Sequence, residues 1–137
     1  MAKLSLKISE MANMAKGDDY GKFCSDLFAC ADVIKIAHLK AKGPGSYAQH
    51  TALGELYDAL TDMADDITET IQGYKGILMI SIPATSFMEP VSYIKSKRTS
   101  LISMVSKMEA EMPDVSNKLQ DLIAVMSKTI YKLENLA

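Results

Sequence analysis

The feature that most constrains this chain is where its helix breakers fall. Gly and Pro are few, 7 and 4 in 137 residues, and they gather at a handful of places. Gly43-Pro44-Gly45 makes one sharp break and Met112-Pro113-Asp114 another. Between them lies one long interruption, residues 74–89, which contains Pro83. Everything else reads as helix with one apolar face per segment.

Four long helices follow from those faces. The first, from about Asp19 to Lys42, places Tyr20, Cys24, Leu27, Ala31, Ile34 and His38 at three- and four-residue steps. The second, from about Ser46 to Gln72 and closed by Gly73, repeats His50, Leu53, Tyr57, Leu60, Ala64, Ile67 and Ile71. An acidic stripe runs beside it: Glu55, Asp58, Asp62, Asp65 and Glu69. Such a stripe is ordinarily a solvated face; in a hollow assembly it would instead line the cavity. The third helix starts at Pro90, a favoured first-turn residue, and carries Val91, Ile94, Arg98, Leu101, Val105 and Met108 to about Glu111. The fourth, capped by Asp114 or Ser116, runs to about Asn135 on Leu119, Leu122, Ile123, Met126, Ile130 and Leu133. Residues 1–17 read as a tail with a short amphipathic element (Leu4, Ile8, Met11, Ala15) ended by Gly17, leaving 18–137 as the helical domain.

Connection lengths set the topology. The two short breaks make helices one and two, and helices three and four, antiparallel neighbours. The middle connection can travel roughly 50 Å when extended, whereas a 22-residue helix is about 33 Å long. Its apolar run, Ile77 to Ile82, suits packing along the bundle more than a bulky surface loop. The expected fold is therefore all-α: a ferritin-like four-helix bundle with one long crossover between helices two and three.

Composition bounds the function. The chain is 48% hydrophobic and 23% charged, with net charge -2 and a single Arg, Arg98. Lys3, Lys7 and Lys16 against Glu10 make the N-terminal stretch only weakly basic, so DNA binding is a minor expectation that would need many tails in one assembly. Cys24 and Cys30 are six residues apart on one helix and point to different faces. They read as unpaired thiols of a reducing compartment. The longest apolar stretch, Gly76 to Ala84, is too short to span a membrane, and the N-terminus offers no signal-peptide core. A cytoplasmic protein is expected, with a virion component as the alternative.

The chemistry-bearing residues are few. His38 and His50 are the only two histidines, and both fall near the first short loop. Asp65 and Glu69 are four apart on one helical face, a spacing that can clamp a metal. Asp65 lies fifteen residues beyond His50, about 22 Å along a helix. The two pairs can meet only across a two-fold axis. Arg98 sits on an apolar stripe, where a guanidinium needs a partner. Pairing with Asp65 or Glu69 would fill the cation position; the other outcome is that Arg98 reaches the rim.

His38, Gly43, His50, Asp65 and Glu69 resemble, without a gap, the pattern of the Dps family, the mini-ferritins. Tyr57 and the closing stretch Ile123 to Leu133, with Lys128 and Tyr131, are also similar to that family. The resemblance covers about residues 20–136. It implies a hollow homo-oligomer, a dodecamer if Dps-like, that oxidises and stores iron. The metal site would take His38 and His50 from one subunit and Asp65 and Glu69 from its two-fold mate. The chain departs from the family at three positions: Leu39 replaces a Trp, Gly54 a further acidic ligand, and Thr70 an Arg. Those departures favour a second expectation, a structural or scaffold protein that kept the bundle without the ferroxidase, such as a shell or phage-particle component.

Overall fold

In a computed structural model the backbone is described for residues 2–136 and the side chains for 19–136. The described residues form four helices: α1 (Ala2–Lys40), α2 (Ser46–Lys75), α3 (Pro90–Glu111) and α4 (Pro113–Asn135). Among the described residues there is no strand. α1 is one helix, where the sequence predicted a boundary at Gly17. The amphipathic element expected over residues 1–17, and with it the division into tail and bundle, lies outside the described side chains.

The predicted stripes meet in one core. Ile34 of α1, Leu60 and Ile67 of α2, Ile94 and Met108 of α3, and Leu119 and Leu122 of α4 are completely buried, as is Leu56, which the stripe of helix two did not include. The acidic stripe of α2 is exposed along its whole length. α2 packs against both α1 and α4, whereas α1 touches α3 only lightly.

Polar contacts fix the direction of each helix. At one end of the bundle the Tyr20 hydroxyl donates to the Glu111 carboxylate, tying the lower part of α1 to the end of α3. The Tyr74 hydroxyl donates to Asp114 Oδ1 at 2.7 Å, joining the end of α2 to the start of α4. Farther up, Lys118 bonds Asp66 at 2.5 Å and Lys132 bonds Glu55 at 2.7 Å, so α2 and α4 are antiparallel. The connector between α2 and α3 travels back along α1. The Met79 backbone lies against Gly21, the Ser81 amide donates to Ser25 Oγ at 2.9 Å, and Phe87 lies under the Lys40 ammonium at 5.5 Å. α3 therefore starts at the end where α2 starts, and the two run parallel.

Two further helix boundaries differ from the sequence reading, each for a local reason. Gly73 does not end α2, which continues to Lys75. The stop is Gly76, whose φ of 83° is costly for any side chain and whose amide reaches back to the Gln72 carbonyl at 2.8 Å. Neither Asp114 nor Ser116 caps α4: Pro113 takes the first position, where a missing N–H costs nothing, and Asp114 is engaged by Tyr74. The start of α3 agrees with the sequence reading, and Glu89 adds a cap, accepting the Val91 amide at 3.1 Å and the Ser92 amide at 2.8 Å. Those bonds hold the Glu89 carboxyl below its ordinary range.

Tyr20 gives the fold an alkaline weakness. Burial, reinforced by its bond to Glu111 and that residue's negative charge, pushes the phenol from 10.0 up to about 12. Between those values the unfolded chain releases the proton while the folded chain keeps it, so stability falls as pH rises through that window. Tyr20→Phe is expected to flatten this part of the pH dependence in urea unfolding. An unchanged alkaline slope would count against the assignment.

Candidate metal centre

The hairpin between α1 and α2 brings the two histidines together. His38 projects from the last turn of α1 and is half-buried; His50 projects from the second turn of α2 and is exposed, not part of the core as its place on the apolar stripe predicted. The core face of α2 begins at Ala52 and Leu53, so the chain end at His50 lies beyond it.

The rings stack, with centroids 3.7 Å apart and planes inclined by 22°. Each ring is also tied to the other residue's backbone: His38 Nδ1 lies 2.7 Å from the His50 carbonyl oxygen, and His50 Nδ1 3.0 Å from the His38 carbonyl oxygen. A carbonyl only accepts, so both Nδ1 atoms carry the hydrogen and donate it. In the neutral rings both Nε2 atoms are then left with a lone pair. This is the tautomer a metal-binding imidazole adopts when a backbone carbonyl orients it from behind.

Gly54 explains how the stack fits. A Cβ at that position would lie 3.0 Å from His38 Cε1 and 3.2 Å from its Nδ1. The imidazole thus occupies the space of the absent side chain. Sequence reasoning treated Gly54 as a lost carboxylate and missed this role; the available signal was a glycine inside an otherwise regular helix. Gly54→Ala is expected to push the His38 ring off its partner and break the reciprocal bonds. Imidazole NMR shifts of His38 that match the parent protein would contradict this.

The remaining predicted ligands stand elsewhere. Asp65 and Glu69 are exposed on α2, with Asp65 about 22 Å along the helix from His50. Among the described residues no three His, Cys, Asp or Glu side chains come together as a metal cage. Glu55, next to Gly54, is turned to Lys132. Arg98 is half-buried and donates to Ser127 Oγ at 3.1 Å; among the described residues it forms no ion pair with Asp65 or Glu69. The guanidinium therefore does not occupy the cation position within one chain. Ser127 on α4 was not singled out as its partner, because nothing in a serine's spacing signals it. Cys24 and Cys30 are buried and free. Burial raises both thiols, that of Cys30 to about 11, which makes them poor nucleophiles and poor metal donors. No helix among the described residues is long and apolar enough to cross a membrane.

No curated protein and no solved structure matches the chain. A family model does match, over residues 38–133, from His38 through Gly54, Asp65 and Glu69 to the last turns of α4. With that span covering more than half of its length, the chain belongs to the family of unknown function DUF5856.

Proposed function

We propose that this chain is a ferritin-like subunit of the mini-ferritin (Dps) kind, which binds ferrous iron at a site shared by two copies. One observation carries the reading: His38 and His50, twelve residues apart, are held together by reciprocal Nδ1–carbonyl bonds that leave both Nε2 lone pairs available. The crossover and the parallel course of α2 and α3 are the wiring expected of a ferritin-like bundle. Asp65 and Glu69 are exposed and bonded to no cation among the described residues, so a two-fold mate can supply them. Two imidazoles and two carboxylates make a donor set suited to a divalent first-row ion such as iron.

In this reading His38 and His50 hold the ion, and Asp65 and Glu69 of the mate neutralise its charge and favour the ferric product. Two ferrous ions give one electron each to a peroxide, which takes up two protons and leaves as two waters. The product collects against the exposed acidic stripe of α2, and the particle is a closed homo-oligomer.

A second reading is favoured by a specific observation. The His38 ring fills the space at Gly54, where the resemblance would place a third acidic ligand, and the two histidines satisfy each other by stacking. In that case the pair is a clasp on the α1–α2 hairpin, and the protein is a structural subunit of a shell or particle. The deciding experiment is ferrous oxidation by the assembled protein and by Asp65→Ala. Loss of oxidation with unchanged helicity is expected. Oxidation at the parent rate in the variant, or none in the parent, sinks the iron reading, and in the second case leaves the clasp.

A further inference from the structure

Helices α1 and α3 touch only lightly, and the seam between them is where the bundle stays open. A cavity of about 90 Å³ enters the core there, walled by Phe23, Leu27, Leu101 and Met126. Leu27, Leu101 and Met126 are buried, so the floor is apolar. Past Phe23, Asp26 and Ser100 the cavity opens into a wider groove of about 320 Å³. Clefts between the helices of a bundle are a preferred place for small ligands.

Two opposite charges line the same cavity, one on each wall. Asp26 comes from α1 and Lys97 from α3, and both are half-buried. Among the described residues neither joins an ion pair, with the other or with any third residue. The Lys97 ammonium lies 5.4 Å from the Tyr93 ring centroid, a contact that attracts the cation without a counter-charge. Each charge is thus partly desolvated and lacks an ionic partner, and a ligand bearing both signs would supply both. Ser100 Oγ donates to the Ser96 carbonyl at 3.3 Å and keeps lone pairs with which to accept from an ammonium.

We propose that the α1–α3 seam binds a free α-amino acid with a branched aliphatic side chain. The ammonium lies at Asp26 and Ser100, the carboxylate at Lys97, and the side chain fills the apolar floor. Size selects the side chain. An apolar cavity of about 150 Å³ takes a benzene ring, so the smaller volume here suits about three or four carbons, as in valine or leucine. Charge selects the rest. A simple carboxylic acid would satisfy Lys97 and set its anion against an unpaired Asp26; a simple amine would do the reverse. The site lies within one chain and uses none of the four residues of the iron reading, so the inference stands apart from it.

The test is calorimetric titration of the full chain with L-leucine, run beside the methyl NMR resonances of Met126 and Met112. The expected result is saturable binding that shifts Met126, on the cavity wall, and leaves Met112, between α3 and α4, in place. L-Leucinamide lacks the carboxylate and isocaproate lacks the ammonium; each is expected to bind on the order of tenfold more weakly. Asp26→Asn is expected to weaken L-leucine by the same order without weakening isocaproate. Lys97→Gln is expected to weaken L-leucine without weakening L-leucinamide, a pattern that general damage to the fold would not produce. No saturable binding up to about 10 mM L-leucine overturns the proposal. So does L-leucinamide or isocaproate binding as tightly as L-leucine, which would make this a site for a single charge. Binding that leaves the Met126 resonance unmoved overturns it as well.

Discussion

Exchanging Gly21 for alanine is expected to lower the stability of the fold by about 1–3 kcal/mol, although the same exchange inside a helix ordinarily raises it by about 1 kcal/mol. The sign reverses because of what lies over Gly21. A Cβ there would overlap the Met79 carbonyl oxygen and come within 3.2 and 3.3 Å of that residue's carbonyl carbon and amide nitrogen. These are backbone atoms, so no rotamer change relieves the clash. The crossover must lift, and the Ser81 amide then leaves Ser25 Oγ, a buried oxygen that also donates to the Gly21 carbonyl at 2.7 Å. Gly73 is the matched control. It is helical too, but a Cβ there meets nothing within 4 Å, so Gly73→Ala is expected to gain about 0.5–1 kcal/mol. Urea denaturation of both variants checks the pair. A Gly21→Ala protein as stable as Gly73→Ala would mean that the crossover is not seated on α1 as described.

The larger loss is expected from Leu60→Ala, about 2–5 kcal/mol. Leu60 is completely buried midway along α2, the helix that packs against both α1 and α4. Truncation leaves a cavity in the core, and α2 cannot close toward one of its two neighbours without parting from the other. Domains of this kind are stable by only about 5–15 kcal/mol, so the variant should unfold at much lower denaturant. By contrast, Ile77→Ala removes a side chain already 89% exposed and should leave stability within about 0.5 kcal/mol. If both variants unfolded at the parent midpoint, the core would not be where the buried stripes place it.

The helices were legible because burial imposes a period that sequence displays. Leu53, Leu60, Ile67 and Ile71 fall on one face of α2 and are all buried. Pro90 fixed the start of α3, since proline is favourable at only one part of a helix. Glycine was less informative. Gly73 and Gly76 are indistinguishable as letters, and only the backbone angle at Gly76 shows which one stops the helix. At the candidate site, the meeting of His38 and His50 follows from two helix ends and a short loop, and so could be read from spacing. Their mutual bonds could not, because they depend on carbonyls that every residue possesses. The meaning of Gly54 was hidden for the same kind of reason: a glycine records that something needs room, and not what needs it. For Arg98 the sequence left two outcomes open, an acid on helix two or the rim, and neither pointed to the Ser127 hydroxyl of α4 that receives it.

The seat of the crossover on α1 bears on how this family should be cut for expression. The matched span opens at His38, yet Tyr20, Cys24, Leu27 and Ile34 contribute one wall of the core, and Gly21 and Ser25 hold the strap that leads into α3. A fragment trimmed to residues 38–133 would keep three helices and lose the surface that both the hairpin and the strap lean on. Its apolar interior would face water, and it should emerge as an aggregate. The boundary of resemblance here falls inside a cooperative folding unit, and a soluble product requires the chain upstream of it.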